Sequence, residues 1–374
     1  MSEAVVVNLF LLVRVALVGG ILLLFPRISR KGLLFGVYVG EEFAAGDQGR
    51  RLIRNWDTGC LMIMAASLLI GLIMTLFGHP VAGNLTGTVF LISAGFGLYL
   101  RSHSQVRPLI PAGVERQAEL GTATLQSGRP RGETFAMFTF ILCVLTALAT
   151  LTYAVISYRA MPSLVPSLSN PLGSVDGLTA KSIESFILPP TLNLLLSPIY
   201  ALGAWLTTSA KLSVREGADF RSVQAQLAFR TTSANILSGT SLLICAFLTL
   251  YSVQMIRIGL SETQSLGSGI WFLPPVFILF ALGSLITLFM GIGQGGALME
   301  KGSEGGHLTG ALADNAHWVW GLFYVNREDP SMILESRFGI GYTINYGNRI
   351  SVLLTVAMIA LALTIITLVF LMVF

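Results

Sequence analysis

Apolar and polar residues fall in long blocks along this chain rather than at a short period. A bilayer-spanning helix needs roughly 20 apolar residues. Eight blocks approach that length, at about 4–25, 59–77, 81–100, 134–158, 185–209, 231–256, 269–293 and 350–374. One stretch before the last block breaks the pattern: HWVWGLFYVNREDPSMILESRFGIGYTINYGN, His317 to Asn348. Trp318, Trp320, Phe323 and Tyr324 crowd its start, a polar turn follows at Asn326 to Pro330, and a glycine-rich segment carries Tyr342 and Tyr346. Aromatics beside a turn, next to a membrane span, predict a small hairpin at the bilayer surface.

Composition supports the membrane reading. The 374 residues are 53% hydrophobic and 11% charged, with mean hydropathy +0.75, where a soluble domain carries about 25% charged residues. Cys60, Cys143 and Cys245 all sit in apolar spans. They are read as small buried hydrophobes rather than as a disulfide framework.

The net charge of +4 acquires meaning from its placement. Of 23 Lys and Arg, the loops after the first, third, fifth and seventh spans hold 19, the alternate loops only Arg159, Lys181 and Arg257, and Arg14 lies within the first span. Cytoplasmic loops retain Lys and Arg, so the rich loops are expected inside and both termini outside. The first span is not a signal peptide, because Arg27, Arg30 and Lys31 follow its apolar core instead of preceding it. The fold class expected is an all-α integral membrane protein of about eight helices, with a small cytoplasmic surface hairpin before the last.

Several polar residues lie inside spans. A mid-span Arg such as Arg14 costs about 2.5–3.5 kcal/mol on insertion scales, so it should face other helices or a wet cavity. It is either a ligand contact or an Arg paired with a neighbouring carbonyl. Asn193 and Asn235 are the other embedded polar candidates. Gly83 and Gly87 have the GxxxG spacing that lets helices approach closely. Pro189-Pro190 and Pro274-Pro275 suggest either a broken-helix cavity open outward or packing kinks. In the first inner loop Gly36 and Gly40 suggest turns.

The outer loop reads YRAMPSLVPSLSNPLGSVDGLTAKSIES and should be extended and turned rather than helical. Met161-Pro162, Val165-Pro166, Asn170, Gly173, Asp176, Lys181 and Ser182 follow a recognisable spacing. In this it resembles the uncharacterised membrane domain at the front of SdpI-type immunity proteins, although Leu168 and Ser169 stand where that family has His and Phe. Leu33 to Val37 followed by Glu41 resembles the family's FGV-then-acid segment. Trp320 to Asn348, through Gly321, Phe323, Tyr324, Asn326, Asp329, Pro330, Phe338, Gly339, Gly341, Thr343 and Asn345, resembles a second uncharacterised domain that often follows the first. For SdpI-like relatives the resemblance implies immunity to a membrane-active toxin, with signalling by sequestering a repressor at the membrane.

The domains expected are a three-helix region with basic inner loops (1–133), an SdpI-related helix, outer loop and helix (134–209), two further helices (210–293), a cytoplasmic aromatic and glycine-rich domain (294–349) and a last helix (350–374). HExxH, CxxC, GxSxG and P-loop motifs are absent from the sequence. Gly291, Gly293 and Gly296 satisfy GxGxxG, but at the end of a membrane span with no preceding strand. No cofactor, metal or nucleic-acid partner is expected, and no catalytic residue is named. The expected function is a non-enzymatic protein of the bacterial cytoplasmic membrane that touches lipid and binds a protein partner, as an immunity protein, a sensor or an assembly subunit. The alternative is a solute transporter with an outward cavity lined by helices five to seven. Candidate partner contacts are Trp318, Trp320, Tyr324, Asn326 and Asp329. Asn170, Asp176 and Lys181 are the outer-loop candidates, Asp176 and Lys181 bracing each other. Asn326 and Asp329 should also build the turn before Pro330.

Overall fold

The computed structural model describes residues 3–111, 132–168, 175–210, 220–299, 312, 314–337 and 341–373. The chain is mainly helical. Among the described residues six helices are long and apolar enough to cross a membrane: α1 (Glu3–Ile28), α3 (Asp47–Leu76), α4 (Pro80–Val106), α5 (Gly132–Ala160), α8 (Phe220–Gly259) and α9 (Leu273–Ile286), which continues as a π-helix over Thr287–Ile292. The remaining two expected spans also form helices, α7 (Leu188–Ser209) and α10 (Arg349–Val373). Pro189, Pro190, Asn193 and Pro198 dilute the apolar character of α7. Two short helices, α2 (Glu41–Ala45) and α6 (Ile183–Phe186), complete the helical set among the described residues.

The chain folds as two compact units, each assembled from separate stretches. The first takes 1–125, 211–226 and 291–348, and the second takes 126–210, 227–290 and 349–374. The expected aromatic domain therefore shares a unit with the three N-terminal spans.

In the first unit α3 and α4 form an antiparallel pair joined by a tight turn at Gly78. Gly83 and Gly87 face Gly71 and Ser67 across the pair. A Cβ on Gly83 would lie 2.8 Å from the Gly71 carbonyl oxygen, and one on Gly87 2.9 Å from that of Ser67. The Ser67 hydroxyl donates to the Gly87 carbonyl at 2.7 Å. Small residues thus bring the two backbones into contact, as the GxxxG spacing suggested. Asn8 of α1 accepts from Thr75 of α3 at 3.1 Å, which satisfies one polar group inside the bundle.

At the end where α1 and α4 finish and α3 begins, three hairpins form a cap. The first is β1 (Leu33–Leu34) with β2 (Val37–Tyr38), from the loop expected only to turn. The second is β5 (Trp318–Val319) with β6 (Phe323–Tyr324), and the third β7 (Ile333–Glu335) with β8 (Tyr342–Ile344). The single expected hairpin is therefore two, docked on a third from 285 residues earlier in the chain (318 against 33). The first two are built alike. Each turns on an aromatic residue and a glycine with positive φ: Phe35 (47°) and Gly36 (77°), then Trp320 (54°) and Gly321 (68°). That pairing is the I′ geometry that suits strand twist. The two turns pack back to back. A Cβ on Gly36 would sit 2.7 Å from Gly321 Cα, and one on Gly321 2.6 Å from Gly36 Cα.

The second unit contains α5, α7, α9, α10, most of α8, and a hairpin of β3 (Leu164–Leu168) with β4 (Val175–Ala180). The outer loop is thus extended. Its Val165 joins a core with Met161, Phe186, Met255, Ile256 and Ile258. The proline pairs occupy the first turns of α7 and α9, where a missing N–H costs nothing, so they start helices instead of breaking them.

The glycine contact makes a graded prediction. Gly78→Ala should cost roughly 1–2 kcal/mol, the penalty of a left-handed Cβ in open space. Gly36→Ala and Gly321→Ala should each lower the thermal midpoint in mild detergent clearly further, because their Cβ atoms meet backbone. Equal midpoints for the three variants would show that the turns do not pack together.

Candidate functional site

The cap is the most elaborated polar structure among the described residues, and its parts come from distant sequence. Hairpin β1–β2 supplies two faces. Leu33 and Tyr38 enter a core with Leu312, Trp318, Tyr324 and Leu334. Leu34, Phe35 and Val37 enter another with Trp56, Cys60, Tyr99 and Val106 of α3 and α4. Trp56 places its indole N–H on the Leu22 carbonyl at 2.9 Å, tying α3 to α1.

The equivalent turn carbonyls of the two like hairpins are both taken up by α4. The Tyr99 hydroxyl donates to Trp320 O at 2.9 Å. His103 Nδ1 lies 2.9 Å from Phe35 O, and since a carbonyl only accepts, Nδ1 carries the proton. Tyr99 and His103 are four apart, hence stacked on one helix face.

Two buried arginines lock the rest. Arg30, just past α1, places Nε 2.5 Å from Glu335 Oε1 and Nη2 2.9 Å from Oε2, and donates to Gly295 O at 2.8 Å. Both side chains are at most 5% exposed. Gly295 is glycine because a Cβ there would strike both partners, at 2.2 Å from Glu335 and 2.3 Å from Arg30. Of the glycines that imitate a dinucleotide motif, Gly293 and Gly296 are close-packed too, a Cβ on them falling 2.7 Å from Leu298 and 2.5 Å from Ala225, whereas one on Gly291 would meet nothing within 4 Å. Arg337 donates to Gly36 O, Asn315 Oδ1 and Leu312 O at 2.7–3.2 Å, and its guanidinium lies 4.8 Å from the Trp318 ring centre. Burial pushes Arg337 down to about 9, against the opposing pull of Asp314, so it remains a cation at neutral pH.

Three amides complete the frame by imitating backbone. Asn315 accepts from Tyr38 N and donates to Tyr38 O, closing the free edge of β2. Gln294 bonds Gly341 N and the carbonyls of Ser336 and Gly341, clasping the β7–β8 loop. Asn345, fully buried, donates to the carbonyls of Asn326, Asp329 and Ser331 and accepts from Asn326 N and Gly347 N. Asn326 and Asp329 cap their own turn through Glu328 N and Ser331 N.

This arrangement revises the expected contact residues. Trp318 is 6% exposed and Tyr324 2%, and Asp329 is buried beneath Tyr324, whose phenol is pushed up by burial. Trp318 and Tyr324 are core because alternate strand residues point inward, and Asp329 is buried because its turn carries it under the Tyr324 hydroxyl. Asn326 is half-buried. The outward face is Trp320 at 51%, with Val319, Phe323, Val325 and Tyr346. Phe323 packs edge-on against both Trp320 and Tyr346.

Elsewhere, Lys181 donates to the carbonyls of Tyr158 and Met161 and lies over the Tyr158 ring. It caps the C-terminus of α5, where a cation is favoured. Asn170 and the Asp176 side chain lie outside the described residues. Arg14 is half-buried, without a hydrogen bond or ion pair to the described residues. Asn193 is buried and donates to Cys245 O at 3.4 Å and Thr249 Oγ1 at 3.2 Å, joining α7 to α8. Cys60, Cys143 and Cys245 are free and buried. An apolar slot of about 370 Å³ lies between α7, α8 and α9, walled by Leu196, Phe247, Pro274 and Phe277 among others. Neither Asn193 nor Asn235 lines it.

These features define a multi-pass helical membrane protein with a hydrogen-bonded cap. A family of unknown function (DUF5808) matches residues 327–352, the segment holding Glu335, Arg337 and Asn345. No curated protein and no solved structure matches the chain.

The ion pair carries a prediction. Arg30→Met alone should strand a buried carboxylate and cost about 3–5 kcal/mol. Adding Glu335→Met should recover part of that loss in the thermal midpoint. A double variant no more stable than the single one would show that the pair is not a coupled unit.

Proposed function

We propose that this is a non-enzymatic, multi-pass protein of the bacterial cytoplasmic membrane that binds a protein partner through its cap, as an immunity protein, sensor or assembly subunit related to the SdpI type. The carrying observation is the outward face of Val319, Trp320 and Phe323 on a hairpin whose turn is held by the Tyr99 hydroxyl on Trp320 O and by the glycine contact with Gly36. Aromatic side chains fixed in place lose little entropy on binding, which is the property of an interaction hot spot. The cap's buried polar side chains bond chiefly to backbone or to one another, a structural use that supports a binding role. With eight spans and basic loops inside, the cap faces the cytoplasm and both termini lie outside.

The slot between α7, α8 and α9 supports a second reading, transport, with an aliphatic rather than polar cargo given its apolar wall.

Purification from native membranes in mild detergent, with mass spectrometry of co-purifying chains, tests the first reading. A stoichiometric protein is expected, and Trp320→Ala with Phe323→Ala should reduce its recovery about tenfold, as loss of roughly 1.4 kcal/mol or more implies, without moving the thermal midpoint. A preparation free of any second protein would overturn it.

A further inference from the structure

Asn235 projects from α8 within the Val223–Gly259 span, five residues past Arg230, exposed and without a hydrogen bond to any described residue. It opens onto a cleft of about 380 Å³ between α8 and α9, lined also by Thr232, Ile236, Gly283, Ser284 and Thr287. Hydrocarbon leaves a polar amide unsatisfied at a cost of several kcal/mol, and an acyl chain brings neither donor nor acceptor. The occupant must reach the cleft from within the membrane and bring both.

We propose that a second copy of this chain packs against the α8–α9 seam, so that Asn235 of each copy bonds the other. A carboxamide is donor and acceptor at once, so it is complementary to itself across a two-fold axis, as a closed dimer requires. Two further observations fit this occupant. A Cβ on Gly283 would meet nothing within 4 Å, so another helix has room to approach closely. The α9 span is only 11% buried, against 22–28% for the other five, and is the least covered helix of its class.

The test is oxidative cross-linking in native membranes. Ser284→Cys should give a disulfide-linked dimer, whereas Ile286→Cys, about 200° around the helix, should give little. The native cysteines are buried and should give no product. Adding Asn235→Leu should cut the Ser284→Cys product about tenfold, the effect of an interhelical hydrogen bond in lipid, and Asn235→Gln should retain it. The mass of the wild-type protein in lipid nanodiscs gives a check independent of any variant, with two chains expected. A single chain, a cross-link within one chain, equal product at Ile286→Cys, or a dimer indifferent to Asn235→Leu would each overturn the proposal. A monomer carrying a small neutral molecule in the cleft would do so too.

Discussion

The first unit depends on two glycines being able to touch. Gly36 and Gly321 bring two hairpin turns within backbone contact distance, which only residues without a Cβ permit. Everything else in the cap follows from that closeness. The carbonyls beside the two glycines come within reach of Tyr99 and His103 on one face of α4, and the Gly36 carbonyl within reach of Arg337. With the turns fixed, Arg30 meets Glu335 across 305 residues of sequence. Loop closure over such a length is opposed by entropy that grows only slowly with length. Many buried bonds made together can therefore offset it.

A buried ion pair and a second buried guanidinium are poor sources of net stability, because desolvation consumes most of the Coulomb gain. Their contribution here is directional. Short hairpins of two or three residues per strand are marginal alone, and apolar contact would leave their register loose. Arg337 and Asn315 bond the backbone of the β1–β2 hairpin, Gln294 that of the β7–β8 loop, Asn345 that of the turn at 326–331, and Tyr99 that of the β5–β6 turn, so each has one permitted position. The outward set of Trp320 and Phe323 inherits that definition.

The membrane-crossing helices were legible because hydrocarbon thickness imposes a length and a composition on every span. The close α3–α4 pair was legible for a related reason, since Gly83 and Gly87 at a spacing of four must share a helix face. The face of the aromatic stretch was not. Trp318 and Trp320 look alike in sequence, and two residues apart they would share a face if both lay in a strand, but Trp320 sits in the turn at positive φ, and that turn position was not read. One signal was available: Leu33-Leu34-Phe35-Gly36-Val37-Tyr38 repeats the aromatic-glycine centre of Trp318 to Tyr324. Two such turns in a membrane protein predict two I′ hairpins, and hence a docking partner for each. The capping bonds of Lys181 were not legible because their acceptors are carbonyls at the end of α5, and carbonyls have no sequence signature.

The two units handle buried polarity differently, and the difference bears on function. The cap directs its polar side chains at its own backbone and keeps aromatic carbon on the outside. In the second unit Asn193 is matched by groups on α8, whereas Asn235 faces outward with its amide unmatched. Within hydrocarbon an unmatched amide is costly for an isolated chain and inexpensive in an assembly. Asn193 therefore contributes to the fold of one molecule. Asn235 makes no hydrogen bond to the described residues of that fold, and the proposed association would supply its missing bonds.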